Sequence, residues 1–115
     1  MIFAFIEDGT VEIFSSEENA IQAYEGCDVE DQVVIFYNAM GQYLRPVFLT
    51  PNRRSPWRNF FGWVESGRYE LHPAPKADED SFEVAMYEAI ALEPNPWFTS
   101  LSEIKQTYKA KGFSF

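Results

Sequence analysis

His72 and Cys27 are the only histidine and the only cysteine, so a Cys-His nucleophile couple within this chain has to be Cys27 with His72. Cys27 follows Gly26 among acids, surroundings that disfavour the thiolate such a couple needs, and His72 stands beside Pro73 in a connecting stretch. Cys27 reads better as a small buried residue after a helix. A lone histidine also excludes an all-His metal site within the chain. Asp28, Glu30 and Asp31 carry the oxygen ligands that Ca²⁺ takes, but the spacing of a calcium loop, with its Gly and terminal Glu, is absent. Glu7 and Asp8 could pair with other carboxylates as acid and base, yet in an Asp-Gly turn they read as solvated. Arg53, Arg54 and Arg58 interleave with Trp57, Phe60 and Phe61, the mixture of cations and stacking rings found in nucleic-acid grooves. No Gly-rich phosphate loop, Ser-centred elbow or Cys-x-x-Cys pair accompanies them. The expectation is of a non-enzyme, with no catalytic, cofactor-binding or metal-ligating residues.

Charge bears on the partner. Glu7, Asp8, Glu12, Glu17, Glu18, Glu25, Asp28, Glu30 and Asp31 all precede Arg45, the first basic residue, and the net charge of -9 arises entirely in that N-terminal part. Such a face repels phosphate backbones and anionic membranes and speeds encounter with a basic protein. Direct nucleic-acid binding by the arginine stretch is therefore disfavoured. Its arginines are expected to meet the protein's own carboxylates, with the rings packed underneath. An acidic surface also serves solubility alone.

The elements that must carry these residues can be read from local signals. At 115 residues, 46% of them hydrophobic and 17% aromatic, the chain suits a single α+β domain over residues 1–115 with ample burial. No apolar run approaches the roughly 20 residues needed to cross a bilayer, and the apolar start at residues 1–6 lacks the basic flank of a signal peptide. One cysteine is compatible with a reducing cytoplasm.

Residues 2–6 and 11–14 are rich in β-branched and aromatic types around Asp8-Gly9, which predicts a hairpin. Ser15 to Glu18 has the form of a capping box for a short helix with Ala20, Ile21 and Tyr24 on its apolar face. Gly26 closes it, and Cys27 to Gln32 follows as an acidic loop. Val33 to Tyr37 and Tyr43 to Leu49 read as strands, with Pro46 marking an edge or a bulge. Pro51 to Phe61 reads as an exposed loop. Residues 62–65 and 68–71 flank Ser66-Gly67 as a second hairpin. Phe82, Met86, Ala89 and Ile90 predict a helix started by Asp80 and Glu83 and stopped by Pro94 and Pro96. Ser100 and Glu103 box the start of a last helix bearing Leu101, Ile104 and Tyr108, with Lys105, Lys109 and Lys111 toward its end and Gly112 after it. The sum is an antiparallel sheet of about five or six strands, built from hairpins, with three helices, two of them C-terminal.

Several stretches together have a familiar arrangement: Phe3-Ala4-Phe5-Ile6-Glu7-Asp8-Gly9, Tyr24-Glu25-Gly26-Cys27-Asp28-Val29-Glu30, and Pro46-Val47-Phe48 before Pro51-Asn52-Arg53-Arg54. Gly62-Trp63-Val64-Glu65-Ser66-Gly67 and Glu93-Pro94-Asn95-Pro96-Trp97-Phe98 complete it. In style and size the chain resembles the small acidic immunity proteins that accompany polymorphic or contact-dependent bacterial toxins, and the resemblance covers most of its length. It implies a cytoplasmic, non-catalytic inhibitor that binds a cognate toxin domain, often a nuclease. Nuclease domains need basic surfaces, so carboxylates that replace phosphate contacts suit the task. On that ground the expected partner-binding residues are Glu17, Glu18, Asp28, Glu30 and Asp31, with Tyr24 or Trp57 as apolar anchor. The rival expectation is a DNA-mimicking or regulatory acidic protein-binding module, whose acids would spread along an elongated surface.

Overall fold

A computed structural model of the protein describes residues 1–54, 64–75 and 81–115. Strands β1 (Ile2–Ile6), β2 (Thr10–Phe14), β3 (Val34–Asn38), β4 (Tyr43–Phe48), β7 (Tyr69–Pro73) and β8 (Ala91–Leu92) form one sheet in the order β7-β4-β3-β1-β2-β8. Strands β5 (Arg53–Arg54) and β6 (Val64–Glu65) pair separately. Helices α1 (Glu17–Ala23), α2 (Gly26–Glu30), α3 (Phe82–Glu88) and α4 (Leu101–Lys109) complete an α+β fold. No helix among the described residues is long and apolar enough to cross a membrane.

The two-residue period of the strands divides the core in two. In β1, Ile2 and Ala4 join Val34, Phe36, Leu44, Tyr69 and Leu71 beneath Ala20 of α1 and Val29 of α2. Phe3 points the other way and meets Val11, Ile13 and Tyr37 beneath Phe82 and Met86 of α3 and Ile104 and Tyr108 of α4. A central sheet covered by helices on both faces explains why β1 and β3 are apolar at nearly every position.

The β1–β2 hairpin is closed by Gly9 at φ 92°, whose N–H donates to Ile6 O at 2.9 Å. Asp8 Oδ1 accepts from Thr10 N at 2.9 Å, and hydrogen bonds from Thr10 hold the Asp8 carboxyl below its ordinary 3.8. At the head of α4, Ser100 Oγ accepts from Glu103 N at 3.1 Å. Glu103 Oε2 accepts from Thr99 Oγ1 at 2.6 Å and Thr99 N at 2.9 Å, and those bonds hold its carboxyl below its ordinary 4.5. Both folded values lie below the unfolded ones. Each group therefore contributes stability that is complete above its ordinary value and is lost as pH falls through the lowered one. Thermal unfolding of Asp8→Asn and Glu103→Gln between pH 6 and pH 2 should accordingly show a shallower acid loss than the parent chain; identical slopes would rule these carboxylates out.

Several expectations need correction. The N-cap of α1 is Ser16, accepting from Asn19 N at 3.2 Å, while Ser15 Oγ accepts from the Asn19 side chain at 2.8 Å; no Ser15–Glu18 box forms. Gly26 does not end α1, which stops at Ala23; it opens α2, so the supposed acidic loop is largely helix. A Cβ at Gly26 would stand 2.5 Å from Asn52 Oδ1 and 2.6 Å from Gly67 O, so close approach is the reason for glycine there. Ser66-Gly67 is not a hairpin turn either, because β6 pairs with β5 and β7 with β4. Ser81, accepting from Val84 N at 3.3 Å, caps α3, and Ile90 falls beyond that helix at 77% exposure. Finally, β8 lies parallel to β2, a pairing that a hairpin-only reading excludes. Pro46 sits opposite Leu71 in β7 and past the end of the β3–β4 pairing, so its missing N–H costs no ladder bond to β3.

Candidate protein-binding surface

α1 and α2 lie on the same face of the sheet, and each turns carboxylates outward. In α2, Cys27 and Val29 are buried while Asp28, Glu30 and the following Asp31 are exposed; in α1, Ala20 is buried and Glu17 and Glu18 are exposed. Neither helix has a basic residue in its last turn, and Glu17, Glu18 and Asp28 stand in first turns, where the helix dipole favours a negative charge. Among the described residues, no Lys or Arg lies within ion-pair distance of Glu18 or Asp28; on the exposed face of β7, His72 Nε2 stands 3.4 Å from Glu70 Oε1.

Two of the expected interface acids also work inside the fold. Glu17 Oε1 accepts from Leu71 N at 2.9 Å, which satisfies a donor on the outer edge of β7 that no strand among the described residues covers. The Glu30 carboxylate accepts from Asn52 Nδ2, and the same amide group donates to Gly26 O at 3.1 Å while Asn52 Oδ1 accepts from Gly67 N at 2.6 Å. Asn52 thus fastens the first turn of α2 to the segment before β7, a role that nothing local in the sequence announces.

Tyr24 is half-buried. Its ring packs edge-on against Phe14 and Phe36, and its hydroxyl donates to Glu12 Oε2 at 2.5 Å. Burial first, then the Glu12 hydrogen bond and the charges of Glu12, Glu93 and Asp8, push the phenol well above its ordinary range. The neighbouring Tyr69 donates its hydroxyl to Tyr24 O at 2.8 Å and Ile21 O at 3.3 Å, covering carbonyls left over at the end of α1, and burial pushes it up to about 12. Tyr24 therefore seats the α1–α2 junction on the sheet and presents only part of its ring to a partner. Trp57, the other expected anchor, lies outside the described residues, as do Arg58, Phe60 and Phe61. Cys27 and His72 occupy different elements, one buried in α2 and the other exposed on β7.

The class these features define is an α+β domain whose sheet carries an acidic pair of helices on one face. No protein-family model, curated protein or solved structure matches the chain.

Proposed function

We propose that the protein is an immunity-type inhibitor: a cytoplasmic, non-catalytic binder that neutralises a basic toxin domain, probing it with the carboxylates of α1 and α2. The observation that carries the reading is the bare acidic face, on which Glu18 and Asp28 stand exposed without basic neighbours among the described residues. Exposed carboxylates with no basic partner among the described residues are available to a partner's Lys and Arg, and a net charge of -9 steers a basic domain toward them. The resemblance to small acidic immunity proteins points the same way and supplies the nature of the partner.

The direct test is co-expression with the C-terminal domain of a secreted toxin encoded in the neighbouring reading frame. Rescue of growth and co-purification are expected. Because Glu17 and Glu30 hold backbone and loop contacts, the clean charge variant is Glu18→Gln with Asp28→Asn. That pair should weaken toxin binding about tenfold or more and flatten its salt dependence while leaving the melting temperature in place. Unchanged affinity and salt slope would reject the acidic face as the interface.

A further inference from the structure

Three stretches distant in sequence meet at one end of the sheet. Glu7 N donates to Val33 O at 2.9 Å, while Ile90 N and Ala91 N donate to Gly9 O at 2.9 and 3.3 Å. The β1–β2 turn is thereby bonded to the α2–β3 connection on one side and to the α3–β8 connection on the other. Between this turn and α3 opens a cleft of about 190 Å³, walled by Phe5, Ile35, Ala85 and Ala89 and bearing the carboxylates of Glu7 and Glu88. Both acids are exposed, and Ile90, which packs against Gly9 at the rim of the cleft, is 77% exposed, one of the most exposed large apolar side chains among the described residues. Gln32, at its margin, has φ 60°, a left-handed conformation that residues other than glycine rarely adopt.

Size and charge together select the occupant. Small-molecule sites usually measure roughly 300–1,000 Å³, so this cleft suits one side chain instead of a whole ligand. Apolar walls with carboxylates match a side chain that buries an aliphatic stem and keeps a cationic head wet, and a planar guanidinium can meet carboxylates with paired hydrogen bonds. Arginine is also a preferred interface anchor.

We infer that this cleft receives an arginine of the basic partner, with an adjacent apolar residue of that partner resting on Ile90. The inference rests on the reading of the protein as a binder of a basic protein, and it places a second contact away from the α1–α2 face.

The probe is the peptide acetyl-Leu-Arg-Leu-amide, titrated into the ¹⁵N-labelled protein and followed by amide chemical shifts, with the citrulline peptide as neutral isostere. Saturable shifts should gather at residues 5–9, 32–35 and 84–90, and the citrulline peptide should leave them unmoved. Glu7→Gln and Glu88→Gln together should weaken the arginine peptide about threefold to tenfold and each singly by a part of that, whereas Glu70→Gln, which removes the same single charge as either one at the far edge of the sheet, should not. Shifts confined to α1 and α2, equal binding of the two peptides, or no saturable shift would overturn the cleft. Such a result alongside toxin binding that depends on Glu18 and Asp28 would leave the inhibitor reading standing; a peptide seated in the cleft while no toxin domain binds would overturn that reading instead.

Discussion

Replacing Phe82 with alanine should lower the unfolding free energy by about 3–5 kcal/mol, a large part of the roughly 5–15 kcal/mol that holds a domain folded. Phe82 is 1% exposed at the start of α3. Its ring centroid lies 5.2 Å from that of Phe3, 5.0 Å from Tyr108, 5.8 Å from Phe5 and Tyr37, and 5.7 Å from Phe113. One side chain thus joins β1 and β3 of the sheet to α3, α4 and the C-terminal segment, with most of the pairs in the edge-on geometry that adds to simple burial. Truncation would open a cavity that a sheet on one side and two helices on the other cannot easily close. Urea unfolding should give a lower midpoint at an unchanged slope. A loss below about 1 kcal/mol would mean that the surrounding rings collapse into the void and that Phe82 is not the hub its position implies.

Gly67→Ala should cost about 3 kcal/mol by the opposite mechanism, overpacking. A Cβ there would stand 2.1 Å from Thr50 O and 2.9 Å from Pro51 C, and because these are backbone atoms no side chain can swing aside. Displacing Gly67 also disturbs the bond from its N–H to Asn52 Oδ1 and, through Asn52, the grip on Gly26 O and the Glu30 carboxylate. The damage should therefore reach α2. Hydrogen exchange should report faster opening of the α2 amides along with the loss of global stability. A variant with wild-type melting and unchanged α2 protection would show that the segment before β7 relaxes freely and that the α2 acids are held by other contacts.

Much of the candidate surface was legible, though for partial reasons. Glu18 and Asp28 stand exposed on one face, where a charge count that finds no base before Arg45 leads one to look for them. Glu17 and Glu30 were legible as acids but not as internal acceptors, because their donors, Leu71 N and Asn52 Nδ2, lie far along the chain. Tyr24 was read as an anchor on its type alone. Its bond to Glu12, a strand residue that faces α1 only once the sheet is assembled, gives it a structural task as well. The cleft between Glu7 and Glu88 had no signal at all, since it depends on Gly9 O accepting from Ile90 and Ala91.

The same division runs through the fold. The β1 strand, the Asp8-Gly9 turn and the Ser100 cap of α4 follow from interactions within about four residues, where side-chain type and backbone preference settle the outcome. Strand partners were decided elsewhere. That β7 pairs with β4 instead of β6, that β8 runs parallel to β2, and that Gly26 begins a helix instead of ending one are settled by contacts between distant segments. They come from the folded chain alone, because a glycine, a short apolar run or a lone carboxylate fits several local roles equally well, and the choice among them is made by whichever distant backbone it must fit against.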